Sequence, residues 1–424
     1  MKPMTAILIG AGDRGVRAYG PYALDYPNEL KIIAVAEPNR ERRTKFQRKH
    51  QISNEHCYES WEEVLNQDTK IADIAIICTL DPHHSKPTMK ALEMGYHVLL
   101  EKPMSPDPLE CIAMEQAAKK HNRQLTICHV LRYTEFWAAI KKIISKGEIG
   151  EVISLQLNEN VEVMHMSHSF VRGNWNNKEK SSPMILQKSC HDMDIISFVM
   201  GKECKRVSSY GSLMHFKVEN APAGAPQRCL DGCPAEQDCP FHAGRYYLGE
   251  GKGWAKKFTE DYTNEGIIKA LQETPYGKCV YRSDNNVVDH QVVNLEFEDG
   301  ATATFSMCGF TREQTRIVQI MGTKGEIRGN MEENSISIYD FLTKHETVIK
   351  FDTPVGGHGG GDKGIMRKFL REIQYGSKKD SVSSTSASVR SHLMAFAAEE
   401  SRLHQGKSIN IDDYYTCLIE KVES

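Results

Sequence analysis

The residue with the clearest capacity for chemistry is Lys102, in the run Gly95-Tyr-His-Val-Leu-Leu-Glu-Lys-Pro-Met104. The apolar run before it, residues 97–100, predicts a buried strand that ends just ahead of the lysine. Pro103 disfavours the helical conformation at Lys102, so we expect an extended lysine at a strand end. Ligands of open parallel sheets bind beyond such ends, and a desolvated lysine changes its pKa readily. Lys102 is therefore a candidate for proton transfer, and an ordinary strand-end lysine is the alternative.

A second candidate, His191, lies in the stretch 183–198, whose apolar period predicts one continuous helix. Gln187, His191 and Asp194 stand at i, i+4 and i+7, so they share one face of that helix. An acid one turn from an imidazole can fix its tautomer and tune its basicity. We expect His191 and Asp194 to act with Lys102, and Gln187, which cannot carry a proton, to bind substrate. The alternative is a histidine whose hydrogen bonds are satisfied within its own helix.

Polar and aromatic side chains also cluster in residues 164–175, which have no helical or strand period and are predicted to form a loop. His165, His168 and Arg172 can donate hydrogen bonds to a hydroxylated ligand, and the face of Trp175 suits the C–H surface of a sugar. We predict these four as substrate-binding residues. Arg172 could instead pair with an anionic group, and the whole segment could be a structural connection.

The elements that position Lys102 begin with a strand over residues 5–9, followed by Gly10-Ala-Gly-Asp-Arg-Gly15. In a dinucleotide-binding loop the first glycine allows the tight turn and the second lets the backbone approach the pyrophosphate. The third lets the next helix lie close to the strand. A second strand, residues 31–36, ends in Glu37, which is placed to accept hydrogen bonds from the ribose hydroxyls of NAD. Arginines at positions 40, 42 and 43 could meet a 2′-phosphate, so NADP is the alternative cofactor.

Further strands over 71–79, 97–100 and 124–129 alternate with helices over 85–94 and 107–121. This alternation predicts an α/β fold with a doubly wound parallel sheet, a Rossmann domain covering residues 1–129. The predicted cofactor-binding residues are Gly10, Gly12, Asp13, Arg14, Gly15, Glu37, Thr79, His84, Glu101 and Lys102. His84 also fits an ordinary polar loop.

Several of these motifs together resemble the glucose-fructose oxidoreductase, inositol dehydrogenase and MocA (Gfo/Idh/MocA) family. The resemblance rests on the glycine loop, Pro82-His83, the Glu101-Lys-Pro103 run and Gly147-x-Ile-Gly150. It implies a second α/β domain, residues 130–424, built on a large open, mostly antiparallel sheet. It also implies hydride transfer between a nicotinamide and a hydroxyl-bearing carbon, usually of a sugar or cyclic polyol. The family's helix pattern Asp-x-Gly-x-His-x-x-Asp is met at His191 and Asp194, whereas Gln187 replaces its first aspartate and Ser189 replaces its glycine.

The family has a glycine-rich approach to a helix, similar to residues 356–362 here, which makes His358 a minor site candidate.

Cysteines are concentrated in a segment that we interpret as an insertion in the second domain, at about residues 216–285. Cys229, Cys233 and Cys239 lie within a short glycine- and proline-rich stretch, and Cys279, or failing that His242, could complete four ligands. Thiolates in a tetrahedral set select zinc, with an iron–sulfur cluster as the less favoured choice. We predict a structural zinc site, against plain reduced thiols as the alternative.

Composition narrows the class of protein. A net charge of −3 and a charged fraction of 26% give no reason to expect nucleic acid or a membrane surface as partner. Twelve cysteines without a secretion signal favour a reducing compartment, so a cytoplasmic location is expected. The open sheet predicts a homodimer or homotetramer.

The sequence thus favours an NAD(P)-dependent dehydrogenase of a small carbohydrate, glycoside or polyol. One alternative is an NAD-dependent glycosidase that acts by transient oxidation and elimination. The other is a ligand-binding regulator without catalysis, which the replacement of an aspartate by Gln187 favours and the retained Lys102 and His191 oppose.

Overall fold

The computed structural model describes residues 2–352, 357–376 and 384–423. Gly356, the first residue of the predicted glycine-rich approach, lies outside this range. The described chain forms two β-sheets, one of six strands and one of nine, with helices packed on them. The predicted fold class, a Rossmann sheet followed by a mostly antiparallel α/β domain, is confirmed.

The first sheet consists of β1 (Met4–Ile9), β2 (Leu30–Ala36), β3 (Cys57–Tyr58), β4 (Ile74–Ile77), β5 (His97–Leu100) and β6 (Leu125–Ile127). These strands are all parallel and lie in the order β3-β2-β1-β4-β5-β6. The strand order reverses between β1 and β4, where ligands of such sheets bind. Ile9 pairs with both Ala36 and Ile77, so the residues that follow β1, β2 and β4 meet at one edge.

Five helices alternate with these strands: α1 (Gly20–Asp25), α2 (Arg40–His50), α3 (Trp61–Leu65), α4 (Ser85–Glu93) and α5 (Pro108–Lys120). Their starts follow local capping rules. The side chain of Asn39 accepts a hydrogen bond from the backbone of Arg42 at the start of α2, and Asp107 does the same for Leu109 in α5. These caps set where each helix begins behind its strand.

The second sheet consists of β7 (Val152–Asn160), β8 (Cys204–Ser212), β9 (His290–Phe297), β10 (Thr302–Cys308), β11 (Thr315–Gly322), β12 (Gly325–Asn330), β13 (Ser335–Asp340), β14 (Glu346–Lys350) and β15 (Ile409–Asn410). Their order is β14-β13-β12-β11-β7-β10-β9-β8-β15. Neighbouring strands are antiparallel except β7 and β10, which run parallel.

The remaining helices are α6 (Glu135–Ser145), α7 (Val163–His165), α8 (Met184–Gln187), α9 (Cys190–Met200), α10 (Ala243–Leu248), α11 (Asn264–Glu273), α12 (Gly361–Tyr375), α13 (Thr385–Leu403) and α14 (Ile411–Glu423). Helices α9 and α13 pack on the second sheet and on each other. Helix α12 returns to the first sheet, where Ile365 and Phe369 share a buried cluster with Ala6 and Leu8 of β1. A late segment of the chain therefore completes the core of the first sheet.

Two local predictions were wrong. The predicted continuous helix over 183–198 is interrupted at Lys188 and Ser189, which separate α8 from α9. The predicted loop over 164–175 is largely helical, because α7 continues into a π-helical segment, Met166–Arg172, that packs in the interior. Burial in the tertiary structure outweighs the weak local period of that segment.

Residues 213–289 connect β8 to β9 and are called the insertion below. They contain α10, α11 and a 3₁₀ helix, Glu250–Lys257, around a small apolar cluster of their own that includes Tyr247 and Leu271. None of the helices in the described part of the chain is long and apolar enough to cross a membrane.

Candidate active site

The glycine-rich loop between β1 and the next helical segment leaves its backbone open at Gly12. Gly10 has a φ of +93°, and a Cβ there would lie 2.6 Å from the carbonyl oxygen of Cys78. A Cβ on Gly15 would lie 2.4 Å from the carbonyl oxygen of Gly10. At Gly12, by contrast, no heavy atom of the described residues lies within 4 Å of the Cβ position. The loop can therefore receive a phosphate against its backbone at Gly12.

Glu37 lies just beyond β2 and is buried. Its carboxylate accepts hydrogen bonds from the backbone N–H groups of Ala11 (2.8 Å) and Asn39 (2.9 Å). These bonds fix the carboxylate beside the glycine-rich loop, where the adenosine ribose lies in sites of this type. The guanidinium of Arg43 is engaged by the backbone carbonyl of Glu37 and the carboxylate of Glu59.

Glu101, at the end of β5, is the centre of a buried polar network. It accepts hydrogen bonds from Arg14 Nε (2.6 Å) and from the hydroxyl of Tyr19 (2.5 Å). Burial by itself raises the pKa of Glu101, but the charge of Arg14 and the Tyr19 hydroxyl outweigh it, so the pKa is lowered. Arg14 also donates to Asp362 in α12 at 2.7 Å. Arg14 thus ties the glycine-rich loop to β5 and to α12.

Lys102 follows Glu101 and is half-buried. Its ammonium donates a hydrogen bond of 2.8 Å to the backbone carbonyl oxygen of Gln187, at the end of α8. Two further polar atoms beside that helix break, Gln187 Oε1 and Ser189 Oγ, are buried and make no hydrogen bond within the described part of the chain. Buried polar atoms without partners are rare in folded proteins and indicate a place for a ligand or water.

His191, two residues beyond Ser189, is 5% exposed, and neither of its ring nitrogens has a hydrogen-bond partner among the described residues. Burial, followed by the charge of Lys102 and the nearby His358, lowers its pKa well below the ordinary value. The imidazole is therefore neutral at pH 7. Its ring centre lies 6.0 Å from that of His129 and 5.7 Å from that of His358.

Asp194 does not orient His191, in contrast to the predicted arrangement. Its carboxylate is held by Arg132, with the Nε–Oδ2 distance at 2.6 Å, and lies 3.7 Å from His129 Nε2. Burial raises the pKa of Asp194 against the opposing effect of Arg132. His191 and Asp194 both lie in α9, about one turn apart. Asp194 pairs with Arg132, and the ring nitrogens of His191 stay without a hydrogen-bond partner among the described residues.

A second buried charge cluster supports α9 from the sheet. Arg316 of β11 binds Asp192 (2.7 Å) and Glu159 of β7 (2.7 Å), and Lys188 binds Glu159 at 3.0 Å. Burial raises the pKa of Asp192 to about 6 against the charge of Arg316. Sequence reasoning missed this cluster, because its members come from three separate elements.

The four predicted substrate-binding residues of segment 164–175 contact mainly protein groups. His165 Nδ1 lies 2.9 Å from Gln314 Oε1, and His168 Nδ1 lies 2.7 Å from the hydroxyl of Tyr247 in the insertion. Trp175 packs against the main hydrophobic cluster. None of these contacts involves Lys102 or His191.

Arg172 is buried and bound to the insertion. Its guanidinium donates to the carbonyl oxygens of Lys278 (2.8 Å) and Phe241 (2.6 Å), and Nη2 lies 3.7 Å from Cys229 Sγ. The structure therefore does not bring Arg172 together with Lys102, and its bonds hold the insertion against the second domain.

Thr79 and His84 lie beyond β4, close to the turn formed by Lys102 and Pro103. The ring of His84 contacts the carbonyl oxygens of Pro103 (2.7 Å) and Thr79 (3.0 Å). The Thr79 hydroxyl donates to the carbonyl of His83 at 3.0 Å. These bonds fasten the Lys102–Pro103 turn to the β4 loop, and they place both predicted cofactor-binding residues at the carboxyl edge of the sheet.

The four cysteines of the predicted metal site line one small cavity of about 10 Å³ together with His242. All four are free thiols, and the described residues contain no group of three or more His, Cys, Asp or Glu side chains that could hold a metal ion. Burial raises the pKa of the Cys239 and Cys279 thiols, which opposes the thiolate form that metals bind. Nε2 of His242 is hydrogen-bonded to the carbonyl oxygen of Cys229 (2.8 Å). The predicted zinc or iron–sulfur site is therefore not supported.

Two histidines near the site carried little or no sequence signal. His129 follows β6, is 3% exposed, and neither of its ring nitrogens makes a hydrogen bond among the described residues. His358 has a left-handed backbone (φ 49°), and its Nδ1 lies 3.3 Å from Arg14 Nη1. A single sequence does not show that His129 lies near His191 or that His358 lies near Arg14, because both proximities arise where separate segments of the chain pack together.

The fold and this edge of the sheet define a dinucleotide-dependent oxidoreductase, and comparison with known proteins identifies its family. The Gfo/Idh/MocA oxidoreductase family matches over its NAD-binding Rossmann fold at residues 4–129 and over its C-terminal alpha/beta domain at residues 141–402. The chain belongs to the Gfo/Idh/MocA family and is an NAD(P)-dependent oxidoreductase.

The chain is similar to YteT of Bacillus subtilis (strain 168), itself named only provisionally as an oxidoreductase, with 26% identity over 72% of this chain and 74% of YteT. It is 24% identical to the 2,7-anhydro-N-acetylneuraminate hydratase of Escherichia coli (strain K12), over 34% of this chain and 37% of that protein. A solved levoglucosan dehydrogenase in complex with NADH and levoglucosan has a TM-score of 0.71 at 16% identity, covering 97% and 100% of the two chains. The last likeness establishes a shared fold.

Proposed function

We propose that this protein is an NAD-dependent dehydrogenase that oxidises or forms a hydroxyl-bearing carbon of a sugar, glycoside or cyclic polyol. Residues 1–129 bind the cofactor and residues 130–424 supply the substrate side. The observation that carries the proposal is that the Lys102 ammonium, at the end of β5, bonds the backbone carbonyl of Gln187, four residues before the buried His191, whose ring nitrogens have no partner among the described residues. Gln187 Oε1 and Ser189 Oγ add polar atoms that suit a ligand with several hydroxyls.

In this proposal Lys102 and His191 handle the proton of the reacting hydroxyl. The neutral His191 ring accepts that proton, and the Lys102 ammonium donates a hydrogen bond to the same oxygen and stabilises its developing charge. The nicotinamide, when bound, accepts or returns the hydride. Burial of His191 excludes water, which would otherwise compete with the imidazole to accept the proton. Asp194 acts through Arg132 and the packing of α9, as a positioning residue.

Glu37 supports NAD over NADP as the cofactor. Its carboxylate would repel a 2′-phosphate, and Arg43 is already bound to Glu59 (2.7 Å). NADH is expected to bind at least about tenfold more tightly than NADPH, and Glu37→Gln should reduce this difference in affinity. Equal affinity of the wild-type protein for both dinucleotides would contradict this assignment.

The first experiment follows NADH formation with NAD and a panel of inositols, aldoses, glycosides, anhydrosugars and sugar acids, with chromatography of the products. Stoichiometric NADH and a keto product support the dehydrogenase. Aglycone release without net NADH would replace it by a redox-neutral glycosidase. Ligand binding without either signal would leave a non-catalytic sensor.

Variants then test the residue roles. Lys102→Met and His191→Gln should each lower kcat/KM about 100-fold or more, and His191→Gln should leave NADH binding near the wild-type value. His404→Gln, an exposed histidine at the end of α13, is the matched control. Wild-type turnover in both site variants would refute the assignment.

We also propose that the open face of the second sheet mediates self-association. Tyr210, Val292 and Ile317 lie in one cross-strand row, with Ser306 and Asn158 between Val292 and Ile317, and are exposed by 56%, 43% and 40%. Several exposed large apolar side chains on one face are typical of an interface. Light scattering should report a dimer or tetramer for the wild-type protein, and Val292→Asp should shift the oligomeric state toward the monomer. A monomeric wild-type protein would contradict the proposal.

A further inference from the structure

We propose that the insertion closes over the dinucleotide site and that its Lys257 is a cofactor-binding residue. Lys257 stands at the end of the 3₁₀ helix Glu250–Lys257, far along the chain from the Rossmann sheet. Its ammonium nevertheless lies 3.0 Å from Oδ1 of Asp13, between Gly12 and Gly15. The insertion therefore delivers a cation directly onto the loop that receives the pyrophosphate.

A second contact joins the insertion to the adenosine side of the site. Glu260 Oε2 lies 3.0 Å from Lys45 Nζ on α2, the helix that follows Glu37. Lys45 also pairs with Glu41 within α2 at 2.9 Å. The insertion thus touches the Rossmann domain at two places, one at the phosphate loop and one near the ribose-binding carboxylate. A dinucleotide that runs between these places lies beneath the insertion.

Packing within the insertion restrains the backbone that carries Lys257. The apolar cluster of the insertion includes Ala255, two residues before Lys257, together with Tyr247 and Leu271. Arg172 fastens the insertion to the segment that follows α7 through two backbone carbonyls. These contacts reduce the conformational entropy that Lys257 loses when it binds an anion.

Electrostatics explains why the loop needs this lysine. Asp13 places a carboxylate where an anionic pyrophosphate must bind, and two unshielded anions repel each other. Lys257 (3.0 Å) and Arg17 (3.3 Å) both neutralise Asp13. An ammonium has three donors, so Lys257 can hold Asp13 and a phosphate oxygen together. Removing Lys257 restores the repulsion and removes a phosphate contact.

The test measures NADH binding and release in the absence of substrate, by fluorescence titration and stopped-flow displacement. Lys257→Ala should raise the Kd for NADH about tenfold, mostly through faster release. Lys252→Ala is the matched control, because this lysine lies in the same 3₁₀ helix and its ammonium bonds Asn264 within the insertion (2.8 Å). Equal Kd values for the two variants would overturn the role of Lys257.

A double-mutant cycle tests the second contact. Lys45→Ala and Glu260→Ala should each speed NADH release about twofold, and the double variant should be no faster than either single one. Glu41→Ala removes the other partner of Lys45 and should leave release unchanged. Strictly multiplicative effects would show that this pair does not close the site. These binding measurements need no turnover, so their failure is distinguishable from failure of the proposed dehydrogenase.

Discussion

Two alanine substitutions in the glycine-rich loop separate cofactor binding from folding. At Gly12 the φ lies outside the left-handed region and no described heavy atom lies within 4 Å of the added Cβ. Gly12→Ala should therefore change the free energy of unfolding by less than about 1 kcal/mol, and a small gain is expected from the stiffer unfolded chain. At Gly15 the Cβ would lie 2.4 Å from the backbone oxygen of Gly10 and 3.1 Å from a methyl group of Leu8. Gly15→Ala should cost about 1–3 kcal/mol.

For cofactor binding we expect the opposite, because Gly12→Ala, which hardly affects folding, should strongly weaken the binding of NADH. The methyl group of Gly12→Ala occupies the open side of the loop and keeps a phosphate from the backbone N–H groups there. Loss of one or two charge-assisted hydrogen bonds, at about 1.5–3 kcal/mol each, corresponds to roughly a hundredfold weaker binding of NADH. Urea denaturation without ligand and fluorescence titration with NADH measure the two quantities separately. A Gly12→Ala protein that binds NADH normally, or that unfolds as readily as Gly15→Ala, would refute the reasoning.

Two further predictions concern buried side chains. Arg172→Ala leaves two carbonyls of the insertion without their donor and should destabilise the protein by about 2–4 kcal/mol in urea denaturation, whereas the exposed Arg312→Ala should have little effect; equal stabilities would contradict a structural role. Burial lowers the pKa of His392 from 6.5 to about 3, and its Nε2 accepts a hydrogen bond from the backbone of Met104. Because the unfolded chain takes up this proton first, stability should fall as the pH drops below 6.5, and His392→Gln should reduce that slope by about 1.4 kcal/mol per pH unit. An unchanged slope, or an equal change in the exposed His404→Gln, would contradict the assignment.

Much of the Rossmann part could be predicted from local patterns. Strand β5 was predicted at its observed bounds, and the roles of Gly10 and Gly15 follow from contacts within a few residues and one neighbouring strand. Such features depend on the period of apolar residues and on the backbone freedom of glycine, which are local properties. The family resemblance was equally visible, because its motifs are short and continuous.

The environment of the helix around His191 could not be predicted in the same way. Within α9, Asp194 pairs with Arg132, a partner 62 residues away along the chain, and not with His191. The segment ending at Arg172 folds as a buried helix, because the insertion supplies carbonyl acceptors for its guanidinium. No local period encodes a partner that arrives from another element.

The cysteines show the limit of spacing arguments. Their sequence positions allow four sulfurs to converge, and the structure does place all four around one cavity. Whether such a cavity can hold a metal depends on the hydrogen-bond partners and the burial of each thiol, which spacing does not determine.

The sequence by itself determined the fold class, the family and the positions of Gly12, Glu37, Lys102 and His191, because these depend on local patterns that recur in one order along the chain. The tertiary structure alone decided which side chains are free to act. It gave Asp194 and Arg172 structural partners and left the ring of His191 without a hydrogen bond to any described residue. It also brought Lys257 onto the phosphate loop from about 240 residues away, since burial and charge pairing act through space and not along the chain.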